Sequence, residues 1–360
     1  MRRLFTVLLA ALWLFGCMGY GPMEEETFDM SASAGDSVGI TGRGLFIANE
    51  GNFMYGNASL SYYDTESRTV ENEIFARANA EKLGDVAQSM TIRNGVGWVV
   101  VNNSGVIFAI DINTFREVGR ITGFTSPRYI HFVSDDKAYV TQIWDPRICI
   151  VDPRSYEITG YVETGMDYES GSTEQMVQYG RYLFTNCWSY QNRILKIDTE
   201  TDRVVDELVV GIQPASLVMD CMNRLWTITD GGYEGSPYGS EEPTLCCIDP
   251  ESFTVLHRFV FRTGGHPSEL QIDGEGRTLY WIRDDIWRMD IGDDALPVRP
   301  FIKYTDTIYY GLTVNPVNGE VYVADAIDYV QNGVILRYSA DGELLDTFTV
   351  GITPGAFCWR

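Results

Sequence analysis

One unit recurs seven times along this chain, and the recurrence leaves few folds open. Short apolar runs end at Tyr63-Asp64, Ile110-Asp111, Val151-Asp152, Ile197-Asp198, Ile248-Asp249, Met289-Asp290 and Tyr338-Ser339, at spacings of 47, 41, 46, 51, 41 and 49 residues. A mean period of about 46 residues is that of a four-stranded propeller blade. A polar turn follows each anchor, as in Asp64-Thr65-Glu66-Ser67 and Asp198-Thr199-Glu200-Thr201. An Asp side chain there can accept the turn's N–H groups, so these aspartates are given a structural role and no catalytic one.

The other strands of the unit are also legible. Continuous β-branched and aromatic runs at 45–49, 97–102, 138–141, 182–186, 225–228, 279–282 and 321–324 suit second strands buried on both faces between stacked sheets. Innermost strands are read at 129–133, 215–219, 269–272, 311–314 and 355–359, several just after Pro127, Pro214, Pro267 or Pro354. A residue without an N–H belongs at the start of such a strand. No segment has the pattern of a long amphipathic helix. The folded region opens at Leu45 with a second strand, while the chain ends at 353–360 with a first strand that has no partner. The expected fold is therefore an all-β, seven-bladed β-propeller with four antiparallel strands per blade, closed by the C-terminal strand completing the first blade. The 360 residues, which at about 150 per domain would suggest two domains, become one propeller over 43–360.

The N-terminus reads as an address. Arg2 and Arg3 precede an apolar run over 4–15, too short to span a membrane and flanked as a signal peptide is. The run ends in Leu14-Phe15-Gly16-Cys17, which resembles a bacterial lipobox, so residues 1–16 are expected to be a lipoprotein signal peptide and Cys17 the lipidated residue. Residues 17–42, with Glu24-Glu25-Glu26 and Ser31-Ala32-Ser33-Ala34-Gly35, are too poor in apolar side chains to fold alone and are read as an acidic flexible tether. Acidic residues soon after a lipidated Cys resemble the surface-export signal of Bacteroidetes lipoproteins. The expected location is the outer membrane, lipid-anchored and facing the extracellular surface.

Composition narrows function. Fifty Asp and Glu against 27 Lys and Arg give a net charge of −23, which makes nucleic acid an improbable partner. Only three His occur, at 131, 257 and 266, which disfavours a multi-histidine metal centre; His266, just before Pro267, is the one with a plausible site position. Cys149, Cys187, Cys221, Cys246, Cys247 and Cys358 show no CxxC spacing, and free thiols and disulfides both remain open. The acidic pairs Asp135-Asp136, Asp284-Asp285 and Asp293-Asp294 lie in turns, where a solvated surface is the default. Nucleophile elbows, zinc-protease helices and phosphate loops are missing from the sequence, so no catalysis, no metal and no cofactor are expected.

The aromatic residues point to one face. Loops joining the second strand to the third, and the fourth to the next first strand, project together, and here they are long and aromatic. They carry Phe53, Tyr55, Phe124, Trp144, Tyr168, Trp188, Tyr190, Tyr233, Tyr304 and Tyr329. Aligning the inner strands puts Gln88, Arg128, Glu174, Ala215, Ser268, Tyr310 and Gly355 at one level near the channel mouth. The candidate ligand site is this aromatic cup with a polar floor of Gln88, Arg128, Glu174, Ser268 and Tyr310. Tyr and Trp give contact area at low entropic cost, which suits a large flat ligand bearing amides or hydroxyls.

The proline lead-ins and Asp-ended strands resemble the YVTN-type, or YncE-like, propellers. Together with Leu14-Phe15-Gly16-Cys17, the acidic tether and the phrase Leu45-Phe46-Ile47-Ala48-Asn49-Glu50-Gly51-Asn52-Phe53, they make the chain similar to the BtuG-type surface vitamin B12-binding lipoproteins of Bacteroides. That resemblance implies capture of cobalamin, cobinamide and related corrinoids, and their delivery to a BtuB-type, TonB-dependent transporter in the outer membrane. The alternative is a propeller lipoprotein that binds a glycan or a protein partner.

Overall fold

The computed structural model describes residues 44–167, 171–262, 264–303 and 307–360. Cys17, the tether, Tyr168 and Tyr304 lie outside the described residues. The strands form seven antiparallel sheets, and the inner strands of successive sheets contact one another around a closed ring. The protein is a seven-bladed β-propeller.

Closure follows the circular scheme. Blade 1 is ordered Pro354–Trp359, Gly44–Asn49, Ser59–Asp64, Thr69–Glu71, so the last strand of the chain is its innermost. That strand runs antiparallel to Gly44–Asn49, with Leu45 opposite Trp359 and Ile47 opposite Phe357. Beyond it, Arg360 N donates to the Gly44 carbonyl at 2.8 Å.

Blades 2 to 5 and blade 7 also have four strands. Blade 6 has three, Ser268–Ile272, Thr278–Arg283 and Asp285–Asp290. In the fourth place residues 301 and 302 form an isolated bridge to Ile286, with Ile286 N donating to the Ile302 carbonyl at 2.9 Å. Four strands per blade is thus the rule with one local exception.

Each interface between blades has its own apolar cluster. Phe46, Tyr62, Phe108 and Phe115 fill the space between blades 1 and 2; Trp226 and Trp281 that between blades 5 and 6; Tyr63, Tyr322 and Val350 that between blades 7 and 1. The second strands are almost wholly buried, as their continuous apolar runs require. Their terminal polar residues stitch blades together: Asn102 Nδ2 donates to the Pro127 carbonyl at 3.0 Å and Asn186 Nδ2 to the Pro214 carbonyl at 2.7 Å.

The aspartates that end the third strands serve the turns. Asp64, Asp111, Asp198 and Asp249 each accept backbone N–H groups two or three residues on, and Ser339 Oγ accepts from Asp341 and Glu343, two and four residues on. The six cysteines among the described residues are free thiols. Among the described residues no helix is long and apolar enough to cross a membrane.

Between blades 1 and 2 the chain forms a short helix, Ile74–Asn79, whose Ile74, Phe75 and Ala76 are buried, with the Phe75 ring 4.8 Å from that of Phe108. One loop assignment needs correction. Phe124, expected on the rim, is only 8% exposed and packs with Trp98, Ile121 and Ile130 between blades 2 and 3. Its apolar side chain follows a fourth strand closely enough to fold back onto the core.

Deletion of residues 355–360 removes the inner strand of blade 1 and uncovers one side of the ring. The truncated protein is expected to lose its cooperative thermal transition, measured by circular dichroism or calorimetry; an unchanged melting curve would refute this closure.

Candidate functional site

The inner strands converge on a central cavity of about 730 Å³. Its wall includes all seven residues aligned from the sequence: Gln88, Arg128, Glu174, Ala215, Ser268, Tyr310 and Gly355. A backbone device puts them there. In six blades the inner strand slips register at this level: at Gln88 in blade 2, Arg128 and Tyr129 in blade 3, Ala215 in blade 5, between Ser268 and Gln271 in blade 6, at Tyr310 in blade 7 and at Gly355 in blade 1. A bulge leaves a residue unpaired and re-aims its side chain, here toward the axis. Blade 4 reaches the same level with Glu174, whose N–H bonds the Asn186 carbonyl just before the strand begins.

Hydrogen bonds between blades hold the wall. Arg128 Nε lies 3.0 and 2.9 Å from the two Glu174 carboxylate oxygens, and its Nη1 donates to Gln88 Oε1, so one guanidinium ties blades 2, 3 and 4. Burial penalises the Arg128 charge, and Glu174, Tyr129 and Glu50 together more than offset this, holding the guanidinium above its ordinary pKa. Tyr310 Oη donates to Glu50 at 3.0 and 2.9 Å, joining blades 7 and 1. Gly355 makes room for that contact, since a Cβ there would stand 2.5 Å from Glu50 Oε1. Burial raises the Glu50 carboxyl above its ordinary range, with Tyr310 and Arg128 working in the opposite direction. Trp188 Nε1 donates to Asp230 Oδ2 at 3.0 Å, and His266 Nδ1 lies 2.7 Å from the Asp230 carbonyl. His266 therefore has a structural partner.

Four carboxyl groups, of Glu50, Glu174, Asp230 and Glu269, share this wall with the single Arg128 guanidinium. Three of the four accept from protein donors. Glu269 has neither a hydrogen bond nor an ion pair from any described residue. Burial and the neighbouring Glu50 charge push its carboxyl from 4.5 up to about 8. Below the cavity the channel continues through a second space of about 470 Å³, and the two share Tyr129, Gln175 and Gln271.

The structure divides the predicted aromatic cup. Phe53, 65% exposed, and Trp188 line the central cavity, with Tyr309 added. Tyr190 instead lines a neighbouring pocket of about 360 Å³ with Gln191, Asn192, Arg193 and Tyr238. Its ring stacks on Tyr238 at 4.3 Å and stands 6.4 Å from Trp144. Tyr329, itself exposed, packs edge-on to Tyr310 at 5.6 Å and does not line the central cavity. Tyr55 and Tyr233 are exposed and line neither space.

Sequence reasoning passed over Glu50, Asp230 and Glu269. The first two share a signal, since each directly follows a second strand, Gly44–Asn49 or Leu225–Thr229. Glu269 was hidden because proline alignment puts Ser268 at the ring level, and the bulge of blade 6 turns on its neighbour. Among the described residues no group of three or more His, Cys, Asp or Glu could hold a metal ion.

The sequence matches the family described as "Domain of unknown function (DUF5074)" over residues 43–351. The chain belongs to the DUF5074 family. No functionally curated protein matches it. Among solved structures, the DUF5074 chain is similar to a quinonprotein alcohol dehydrogenase-like protein from Bacteroides thetaiotaomicron, with 17% identity, a TM-score of 0.66, and 88% of this chain and 78% of that one covered. A functionally unknown protein from Desulfotomaculum acetoxidans gives the same TM-score at 12% identity, covering 89% and 99%. The propeller domain of Myceliophthora thermophila Cps50 (Swd1) follows at 10% identity and a TM-score of 0.61, covering 81% and 97%. At such identities the likeness is one of fold.

The Glu269 carboxyl should leave a signature in stability. Between pH 4.5 and 8 the unfolded chain releases this proton while the folded chain keeps it, so the group's contribution to stability falls as pH rises and stays low above pH 8. Glu269→Gln removes that cost. The variant should melt higher than wild type at pH 8.5, by about 2–4 °C for each kcal/mol gained, and the difference should vanish below pH 4.5. Equal melting temperatures across the range would mean that Glu269 is not desolvated.

Proposed function

We propose that this DUF5074 propeller is a binding protein for corrinoids, including cobalamin and cobinamide, which it captures at the mouth of its central channel without catalysis. The observation that carries this reading is the composition of the cavity wall, where hydrogen-bonding side chains from several blades meet under the aromatic groups of Phe53, Trp188 and Tyr309. Acceptors dominate it. A ligand seated there must present N–H or O–H donors and an extended apolar surface, and a corrin ring fringed by primary amides has both. A cavity of about 730 Å³ is that of a site for a drug-sized molecule, roughly 300–1,000 Å³, so a corrinoid would seat part of its ring and amide fringe there and leave the rest at the channel mouth. Wall residues tied blade to blade lose little freedom on binding, which favours tight capture.

The rest of the reading concerns place and partner. The lipobox ending at Cys17 and the acidic segment behind it support a lipid-anchored protein displayed on the outer membrane. A TonB-dependent, BtuB-type transporter is the proposed recipient of the ligand. The net charge of −23 is compatible with docking onto basic transporter loops. A glycan is the second reading, supported by the stacked Tyr190 and Tyr238 beside Asn192 and Gln191 in the neighbouring pocket.

Cyanocobalamin provides a direct test, because it is coloured. Protein mixed with it and passed over a gel-filtration column should elute pink, and colourless protein at micromolar concentrations would overturn the corrinoid reading. Phe53→Ala, at an exposed position, should leave the melting temperature unchanged and weaken binding about tenfold or more, as loss of an aromatic anchor does. If binding follows Tyr190→Ala instead, the neighbouring pocket is the site.

A further inference from the structure

Glu269 differs from the other three carboxyl groups on the cavity wall. Its neighbours are satisfied within the protein: Glu50 by Tyr310, Glu174 by Arg128, Asp230 by Trp188 and Gln213. Glu269, half-buried at the cavity wall, accepts from nothing among the described residues, so its carboxyl is left to meet whatever enters the cavity. Its backbone is strained as well. In blades 1, 2 and 5 the left-handed residue stands just before the inner strand, at Thr353, Val86 and Gln213 with φ of 51, 62 and 56°. In blade 6 the left-handed residue is Glu269 itself, φ 53°, inside the strand and inside the register slip between Ser268 and Gln271. Left-handed geometry at a residue other than Gly, Asn or Asp is unfavourable and is retained where the surroundings impose it, often at binding sites. Strain, bulge and an unsatisfied carboxyl thus coincide at one side chain that faces the cavity.

We propose that Glu269 is the residue that reads the ligand, its carboxyl group pairing with a primary amide of the bound molecule. The proposal rests on the binding reading above and deepens it. The chemistry favours an amide over the alternatives. An anionic ligand group would face Glu50 and Glu269 together, and a purely apolar one would leave the carboxyl unpaired. Near neutral pH burial keeps Glu269 largely protonated, so it can donate to a carbonyl and accept from an NH2 at once. A primary amide offers both groups in the matching geometry, whereas an ammonium offers only donors.

Equilibrium titration of wild type, Glu269→Gln and Glu269→Leu with cyanocobalamin, alongside their melting temperatures, tests this. Gln keeps the reciprocal donor and acceptor pair, so Glu269→Gln should bind within about threefold of wild type. Glu269→Leu should bind about tenfold or more weakly while melting at or above the wild-type temperature, because the loss falls on the ligand and not on the fold. Wild-type affinity in Glu269→Leu would overturn the proposal and leave the corrinoid reading standing. An equal loss in both variants would overturn amide pairing and point to a cationic group. Wild-type protein that fails to bind cyanocobalamin would overturn the corrinoid reading and this proposal together.

Discussion

A blade of this propeller has two apolar faces and no means of covering either. Everything else in the structure depends on that constraint. Strands such as Val96–Val101 are buried from end to end because a sheet presses on each side, so a single unit could not hold itself together and a row of units would leave two naked faces. Only a closed ring covers all fourteen faces of seven sheets. The pairing of Pro354–Trp359 with Gly44–Asn49 supplies closure by making the first blade from both ends of the chain.

A ring built that way brings seven inner strands within reach of one axis, and the cavity is a by-product of the closure. What the protein adds is the slip in register that turns a side chain inward in blade after blade. Hydrogen bonds then tie these side chains across the gaps, with Arg128 bridging to Gln88 and Glu174, and Tyr310 to Glu50. The wall is therefore rigid for the same reason that it is polar. Its acidic excess is local as well as global, since four carboxyl groups face one guanidinium in the cavity of a chain that is already strongly acidic.

Much of this was legible in the sequence because propeller blades repeat. The Asp that ends six of the seven third strands, the doubly buried second strands and, in four blades, the prolines before Arg128, Ala215, Ser268 and Gly355 mark equivalent positions, and aligning them was enough to predict the ring. The rim was harder. Aromatic residues on long loops can turn toward the channel, as Phe53 and Trp188 do, toward a neighbour, as Tyr190 does, or into the core, as Phe124 does, and no periodicity distinguishes these outcomes. Glu269 escaped because a bulge displaced by one residue is invisible to alignment. The missing fourth strand of blade 6 escaped because the polar stretch after Asp290 is replaced at the sheet edge by a two-residue bridge.

The repeated bulge separates two tasks that compete in most binding sites. Residues on the paired positions of an inner strand keep the ladder, whereas the bulged residue is excused from it and is left to meet the cavity, a neighbouring blade, or both, as Arg128 and Tyr310 do. Six bulged positions and the Glu174 of blade 4 form a compact cipher: here it is spelled by Gln88, Arg128, Glu174, Ala215, Glu269, Tyr310 and Gly355. A change at Ala215 or Ser268 would alter the lining without breaking a side-chain bond between blades, whereas a change at Arg128, Glu174 or Tyr310 would break one.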